Sequence, residues 1–361
     1  MSLQSTAERL STPLDWFRRG WFSWLTQNDF ALATLRHRDR RIATLACISV
    51  ALALLGAVYF PVLLFALGPV VFGVAHVAAD VRYLVLRRGL ARWWQNAVWV
   101  GCAWLIAIRA FEELEWLRHG ERLEFASAAT FVAVALFAGV RERGSKARAL
   151  LALFVLLGVT AAALHRPGMA RLVFLHLHNL IAIAAWATLF RANKRWLVGP
   201  LGLIGVATLV LASGLAARQT LASPFASAFR LPVSTVAAWI APFSSTRVAV
   251  GVTTAYVFLQ SVHYSVWLSF IPQEEQPQRG TPTFRMSARS LFADLGTAGV
   301  LAVLLAAMAV LLGAWFDVHR ARTLYLSLAT FHGYLELALL AFFWVRGTNG
   351  ATRRAERARV A

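Results

Sequence analysis

Long apolar runs alternate with short polar links along most of this chain. A helix needs about 20 apolar residues to cross a bilayer, and runs of that kind recur ten times. They predict helices over residues 42–59, 61–86, 93–110, 123–140, 148–165, 170–191, 196–216, 247–271, 293–315 and 323–345. The pattern therefore predicts an all-α fold, a polytopic transmembrane bundle of about ten helices over residues 42–346.

Composition and charge support the same class of protein. The chain is 59% hydrophobic and 15% charged, with a mean hydropathy of +0.60, which is typical of a multi-pass membrane protein. Its net charge of +19 comes from residues in the short links between apolar runs, so no nucleic-acid partner is expected. The positive-inside rule places both termini in the cytoplasm, since 25 of the 36 Lys and Arg residues then lie on that side. We expect a bacterial inner-membrane protein whose surroundings are the lipid bilayer.

The segments outside the predicted bundle have their own patterns. Residues 1–41 form a cytoplasmic leader in which large apolar side chains share one helical face, which predicts an interfacial amphipathic helix. These side chains are Leu14, Phe17, Trp21, Trp24 and Leu25. Residues 217–246 carry three prolines and predict an interfacial or re-entrant segment on the outer side, whereas residues 272–288 read as a flexible link. Residues 347–361 form a basic cytoplasmic tail.

Ionisable residues inside apolar spans mark candidate chemistry, because a charged side chain near the bilayer centre costs roughly 2.5–3.5 kcal/mol on insertion scales. His76 and Asp80 are four residues apart and share a helical face. The carboxylate could then hydrogen-bond one imidazole nitrogen and leave the other free for a ligand. His332 and Glu336 repeat this spacing, so both carboxylates are expected to orient imidazoles.

Five histidines fall on four predicted spans that run in the same direction through the membrane. They predict a buried metal site, since neutral imidazole is a common ligand for iron, copper and zinc. The candidate ligands are His76, His176, His178, His263 and His332. His176 and His178 are about 200° apart on a helix, so at most one should face a shared centre.

Neighbouring polar residues could serve the same site. Gln260 and Asn179 are candidates to hydrogen-bond the imidazoles. Tyr264 and Tyr334 are the candidate catalytic residues, which would gate or hydrogen-bond a bound species.

Other interpretations of the histidines remain open. The histidines could form hydrogen bonds between helices, or two of them could be the axial ligands of haem b. They could also belong to a relay in a proton- or metal-coupled transporter that uses His76, Asp80, Arg82, His263 and Glu336. The histidine boxes HxxxH and HxxHH, the HExxH zinc motif, the GxSxG elbow and the P-loop are absent from the sequence. The missing histidine boxes argue against a di-iron centre of the membrane desaturase and hydroxylase class. A zinc protease, acyl transfer by a nucleophile elbow and nucleotide-driven functions have no support either.

The order and spacing of these histidines resemble the Brp/Blh family of bacterial and archaeal membrane carotene dioxygenases. His76 and Asp80 keep the spacing of the family's His-Gly-x-x-Asp-His motif, with Val77 in place of the glycine and Val81 in place of the second histidine. The resemblance implies one non-haem Fe(II), dioxygen as co-substrate, and a lipophilic substrate such as a carotenoid that enters from the bilayer. Its ligands would be His76, His176 or His178, His263 and His332.

Overall fold

The computed structural model describes residues 3–190, 193–275 and 283–347, and nearly all of them are helical. The first helices are α1 (Leu3–Leu10), α2 (Thr12–Leu25), α3 (Asp29–Arg36), α4 (Arg38–Tyr59), α5 (Pro61–Asp80), α6 (Arg92–Glu113), α7 (Gly120–Arg141) and α8 (Lys146–His165). They are followed by α9 (Pro167–Ala185), α10 (Val198–Ala212), α11 (Ala217–Ala222), α12 (Val233–Ile240), α13 (Thr246–Ser265), α14 (Ile271–Glu274), α15 (Phe284–Phe316), α16 (Val318–Ala329) and α17 (Phe331–Arg346). The prediction of an all-α fold is confirmed.

Eight helical segments within the described residues are long and apolar enough to cross a membrane. They are Arg38–Tyr59, Pro61–Leu86, Gly120–Arg141, Lys146–His165, Pro167–Phe190, Lys194–Ala212, Phe284–Phe316 and Val318–Arg346. The predicted spans 93–110 and 247–271 do form helices, but polar residues such as Gln95 and Gln260 lower their hydropathy. The protein is therefore a multi-pass membrane protein, while the count of ten spans and the cytoplasmic termini stay predictions.

Three of the helices that carry predicted site histidines end in a π-helical turn. These turns are Val81–Leu86 after α5, Trp186–Phe190 after α9 and Val266–Phe270 after α13. Single π-helical turns inside longer helices are rare and frequently occur at functional sites. A sequence pattern of apolar periodicity does not reveal them.

Local capping explains several helix starts. The Asn28 side chain accepts hydrogen bonds from the N–H groups of Phe30 and Ala31 at the start of α3. Asp317 does the same for the N–H groups of His319 and Arg320 at the start of α16. Such caps satisfy donors that have no partner inside the helix.

The chain divides into two compact units, and the first comprises Met1–Phe65 and Phe190–Ala309. Its central element is α13, which packs against α4, α10 and α12. The approach of α13 to α10 depends on Gly251, because a Cβ there would lie 2.5 Å from the carbonyl oxygen of Leu211. The predicted re-entrant segment 217–246 contains α11, a two-residue hairpin of β1 (Ser227–Ala228) and β2 (Leu231–Pro232), and α12.

The leader belongs to this first unit and contains α1, α2, α3 and the start of α4. Asp15 of α2 is buried and accepts hydrogen bonds from the N–H groups of Phe284, at 2.6 Å, and Arg285, at 3.3 Å. The opposite face of α2 exposes Trp16, Phe17, Trp21 and Trp24. The interfacial position of that face stays a prediction. Residues 276–282 of the predicted flexible link 272–288 lie outside the described residues, and the described ends of that link belong largely to α14 and α15 and are helical there. The basic tail beyond Gly347 also lies outside the described residues.

The second unit comprises Ala66–Leu189 and Val310–Ala361. Its central element is α17, which packs most extensively against α7 and also against α6, α8 and α9. The turn between α7 and α8 closes on the end of α17, where the N–H group of Ser145 donates a hydrogen bond to the carbonyl oxygen of Val345 at 2.9 Å. This unit holds four of the five predicted histidine ligands, on α5, α9 and α17.

Candidate metal centre

Two buried histidines meet where α5 and α17 approach each other in the second unit. The Nε2 atoms of His76 and His332 are 3.1 Å apart, and the two rings are nearly perpendicular. Both side chains are at most 5% exposed. Two imidazoles that lie 256 residues apart in sequence thus meet, as the predicted shared site requires.

Main-chain carbonyls fix the tautomer of both rings. The Nδ1 atom of His76 lies 3.3 Å from the carbonyl oxygen of Phe72, and that of His332 contacts the carbonyl oxygen of Ala329. A carbonyl can only accept, so each Nδ1 carries the hydrogen and each neutral ring has a lone pair on Nε2. Two lone pairs therefore face each other across 3.1 Å, an arrangement that a positive ion between them stabilises.

A third imidazole, that of His178 on α9, contacts His332. Its Nε2 atom is 2.9 Å from Nε2 of His332, and its Nδ1 atom is 3.5 Å from Oε2 of Glu336. This approach requires a glycine at position 333, because a Cβ there would lie 2.8 Å from Nδ1 of His178. A carboxylate beside the far nitrogen of a ligating imidazole is the usual arrangement in metal sites.

The separations between these nitrogens match those between neighbouring ligands of one metal ion. Metal–imidazole bonds of about 2.0–2.1 Å, with ligand angles between the 90° of octahedral and the 109.5° of tetrahedral coordination, place adjacent nitrogens roughly 2.8–3.4 Å apart. The observed values are 3.1 and 2.9 Å. Each of these two pairs, His76 with His332 and His332 with His178, could therefore supply two neighbouring ligands of a metal ion.

The predicted pairing of each carboxylate with the histidine on its own helix is wrong. Nδ1 of His76 is occupied by the Phe72 carbonyl rather than by Asp80, and Glu336 lies beside His178 of another helix rather than beside Nδ1 of His332. The reason is the ring rotamer, which turns Nδ1 back toward the preceding turn of its own helix. Main-chain carbonyls thus take the orienting role that the sequence assigned to the carboxylates.

Asp80 is left in an unusual position. It is 0% exposed, and neither of its carboxylate oxygens has a hydrogen-bond partner within the part of the chain that the structure describes. Glu336 of α17 is also 0% exposed. A buried carboxylate without a partner is costly unless it takes up a proton or a cation.

The remaining predicted residues of the second unit are His176, Asn179 and Tyr334. His176 lies two residues before His178 and therefore on the opposite side of α9. Asn179 is buried, but its amide nitrogen has no hydrogen-bond partner among the described residues. The hydroxyl of Tyr334 donates a hydrogen bond to Oε1 of Glu124 at 3.0 Å, and its ring stacks on Phe174. That contact directs Tyr334 toward a carboxylate and gives no support to its predicted catalytic role.

Three predicted site residues lie on α13 in the first unit. The amide nitrogen of Gln260 is 3.4 Å from the hydroxyl of Tyr256, and the rings of His263 and Tyr264 are 5.9 Å apart. The roles of His263, Gln260 and Tyr264 at a metal stay predictions.

A charged cluster in the second unit was missed at the level of sequence. Arg171 of α9 contacts Glu124 of α7 and Glu112 of α6 at 2.6 Å each, and Arg109 contacts Glu112 at 2.6 Å. Glu124 and Arg171 lie inside predicted spans 123–140 and 170–191, so the rule that singled out His76 could also have found them.

Glu112 lies beyond the predicted span 93–110. Burial alone would raise the pKa of its carboxyl, but the hydrogen bonds and charges of Arg171 and Arg109 outweigh burial and lower that pKa.

The fold and the site together define a class, a multi-pass α-helical membrane protein with buried histidines that can hold a metal ion. Comparisons with protein-family models, with curated proteins and with solved structures found no match. The resemblance to membrane carotene dioxygenases stays a prediction.

Proposed function

We propose that this protein is a membrane-embedded, metal-dependent oxygenase that acts on a lipid-soluble substrate such as a carotenoid. The observation that carries the proposal is the contact between the Nε2 atoms of two buried imidazoles, His76 and His332, whose tautomers main-chain carbonyls fix. A packing hydrogen bond between these two rings would need a donor at one Nε2 atom, and the carbonyl contacts place both donors at Nδ1. His76 and His332 would hold the metal, and the resemblance adds His178 as a further ligand.

Non-haem Fe(II) is the metal that fits this ligand set and the resemblance best. Imidazole suits iron, copper and zinc, and neutral ligands leave the ion with its full charge. Bound iron would supply the capacity to activate dioxygen at positions that the protein does not fill. His263 is a further ligand that the resemblance implies.

The residues of the chain would hold the ligating imidazoles in position and exclude water from the site. Main-chain carbonyls and Glu336 hold the imidazoles, and the burial of His76 and His332 keeps bulk water away. A polyene is soluble in the bilayer itself, so it would reach such a site laterally. We place the protein in a bacterial cytoplasmic membrane on the basis of its predicted topology.

The alternative functions have less support. Two axial ligands of one haem lie on opposite sides of the iron, so their nitrogens would be about 4 Å apart, with the macrocycle between them. The observed separations of 3.1 and 2.9 Å are shorter. A transport relay through Asp80 would need contacts from His76 and Arg82, and Asp80 has no hydrogen-bond partner among the described residues.

The experiment is metal analysis with an optical spectrum of the detergent-purified full chain, loaded anaerobically with Fe(II). We expect at least one iron per chain and no Soret band. His76→Ala, His178→Ala and His332→Ala should each lose iron, whereas the control His165→Ala, at an exposed helix end, should retain it. Full occupancy in the three variants would overturn the shared site, and a Soret band would favour haem.

The reaction is tested with β-carotene as the substrate. Iron-loaded protein should bleach its visible absorbance only when dioxygen is present, and His332→Ala should not. The variant His263→Ala tests the ligand that the resemblance implies. Bleaching that is independent of dioxygen, or equal in His332→Ala, would contradict the oxygenase.

A further inference from the structure

A turn of basic residues joins two apolar helices of the second unit. Helix α7 ends at Arg141 and α8 begins at Lys146, and both helices are long and apolar enough to cross a bilayer. The segment between them must then lie at a membrane surface, at the level of the lipid headgroups. We call residues 141–148 the basic turn. Arg141, Arg143, Lys146 and Arg148 are exposed, and none of them has an ion-pair partner among the residues that the structure describes.

The one carboxylate in the sequence of the basic turn is withdrawn from its surface. Oε2 of Glu142 pairs with Nε of Arg346 on α17 at 3.0 Å, and the two side chains are only 13% and 6% exposed. The negative charge of the turn is thus neutralised inside the protein, and its outer face keeps only positive charges. A surface of this kind attracts anionic lipid more strongly with each Lys or Arg that it presents.

Aromatic rings hold two of the guanidinium groups in place. The guanidinium carbon of Arg141 lies 4.7 Å from the ring centre of Trp93, and that of Arg148 lies 5.4 Å from the ring centre of Trp344. Trp344 is itself 56% exposed, as expected of a tryptophan at the boundary between lipid and water. A stacked guanidinium group keeps a planar set of N–H donors that matches the oxygens of a phosphate.

Arg143 occupies a position at which helices normally place glycine. The N–H group of Arg143 donates to the carbonyl oxygen of Val140, and that of Gly144 donates to the carbonyl oxygen of Gly139. These two hydrogen bonds form the usual end of a helix, which requires a left-handed residue at position 143. Arg143 has a φ of 68°, which glycine adopts without strain and arginine does not. The chain therefore keeps an exposed positive charge at a place where glycine would be more stable.

An apolar surface continues from the basic turn along α8. Leu150, Leu151 and Phe154 are 67%, 60% and 77% exposed and lie one to two helical turns beyond Arg148 or less. A phospholipid whose headgroup lies at the turn would place its acyl chains against these side chains. A soluble acidic protein could contact the turn but would leave this apolar surface uncovered.

We propose that the basic turn is a binding site for the headgroups of anionic phospholipids. The lipid phosphate accepts hydrogen bonds from the guanidinium groups of Arg141 and Arg148, while Arg143 and Lys146 add positive charge. The acyl chains lie along α8. This site is separate from the proposed metal ligands and does not depend on the proposed function.

The test is the association of spin-labelled lipids with the full chain in phosphatidylcholine bilayers. Electron paramagnetic resonance separates lipid held at the protein from freely moving lipid and gives the relative association constants of labelled phosphatidylglycerol and phosphatidylcholine. Wild-type protein should prefer phosphatidylglycerol. The triple variant Arg141→Gln, Lys146→Gln, Arg148→Gln should lose at least about fivefold of that preference, the effect of one basic side chain near an anionic surface.

The control removes the same charge at the opposite ends of the same two helices. Its substitutions are Arg118→Gln, Arg122→Gln and Arg166→Gln, all at exposed arginines. This variant should keep the preference of the wild type. An absence of preference in the wild type, or equal losses in the two triple variants, would overturn the proposal.

A single substitution separates lipid binding from a structural role. Arg143→Gly should raise the thermal midpoint in phosphatidylcholine bilayers, because it relieves the strained backbone, and should also lower the association of phosphatidylglycerol. Arg143→Lys should keep that association, since it retains the charge. Unchanged association in Arg143→Gly would overturn the proposed role of this residue and with it the argument from strain.

The rival occupant is a soluble acidic protein, for which polyglutamate is the probe. Binding of polyglutamate to the wild type, lost in the first triple variant and accompanied by no preference between the two lipids, would assign the basic turn to such a partner. That result would overturn the lipid site.

Discussion

At the scale of single residues, the missing side chain of Gly333 decides how closely two helices present their histidines. It follows His332 directly, and a Cβ at this position would lie 2.8 Å from Nδ1 of His178 and 2.9 Å from the ring of Phe174. Real Cβ atoms do not approach that closely, so any side chain here must displace His178. Gly333 thus contributes to the proposed site without offering a ligand atom.

We expect Gly333→Ala to lower metal affinity by roughly 10–100-fold, the range seen when the supports of a ligand are disturbed. All three histidines remain in this variant, so the loss would come from their position alone. Metal titration of the purified protein measures it. The control is Gly158→Ala in α8, where a Cβ meets nothing within 4 Å, and unchanged affinity in both variants would contradict the argument.

Tyr334→Phe should destabilise the protein without removing the metal. The hydroxyl of Tyr334 donates to the buried carboxylate of Glu124, and the loss of one such hydrogen bond costs about 1–3 kcal/mol. Thermal unfolding in detergent, with metal analysis of the same sample, separates the two effects. Unchanged stability with loss of activity would instead support the catalytic role that the sequence predicts for this tyrosine.

At the scale of elements, the charged cluster connects three helices of the second unit. Arg171 of α9 bridges Glu112 of α6 and Glu124 of α7, so one guanidinium holds the ends of all three elements together. Exposed ion pairs contribute little, but Glu124 is only 1% exposed and is paired with two arginines. Removal of one member would leave a buried charge without its partner, which is strongly destabilising.

The cluster predicts a loss of stability in acid. The folded protein lowers the pKa of Glu112 below its ordinary value of 4.5. The contribution of this carboxylate is therefore complete above pH 4.5 and declines as the pH falls through the lowered pKa. When thermal midpoints are measured from pH 7 down to pH 3, they should decrease below pH 4.5. The variant Glu112→Gln should show a smaller decrease. An identical acid dependence in the variant would contradict the assignment.

The kink in α15 has a cause that a substitution can test. Gly296 lies inside this helix with φ of 67° and ψ of 172°, a conformation that side chains rarely adopt. Gly296→Ala should therefore destabilise the protein by about 1–3 kcal/mol, although a Cβ there meets no neighbour within 4 Å. Thermal unfolding measures the effect, and a stabilised variant would show that the helix can straighten at this point.

At the scale of the whole molecule, the binding of a metal ion at a buried site would increase the stability of the folded protein. An ion that binds only the folded protein stabilises it by about 2.7 kcal/mol at a concentration one hundred times its dissociation constant. Removal of iron by a chelator should therefore lower the thermal midpoint of the wild type. The same treatment should leave the midpoint of His332→Ala unchanged, and equal shifts in both proteins would place the metal elsewhere.

Much of this molecule could be predicted from the sequence, because membrane crossing imposes a length and an apolar composition that are visible in the chain. The all-α fold, the apolar spans and the burial of His76 and His332 follow from that rule. The partners of the imidazoles could not be predicted, since ring rotamers decide whether Nδ1 meets a carboxylate or a main-chain carbonyl. The choice between His176 and His178 depends on the rotation of α9, which periodicity does not fix.

The carbonyl contacts of His76 and His332 make the orientation of these two imidazoles insensitive to change in neighbouring side chains. Phe72 and Ala329 contribute main-chain oxygen, and any residue at those positions supplies the same acceptor. His178 alone has a side chain, Glu336, beside its outer nitrogen. Of these three imidazoles, that of His178 is thus open to adjustment by a single substitution. Differences in the reactivity of the proposed centre among descendants of this sequence should accordingly trace to residue 336.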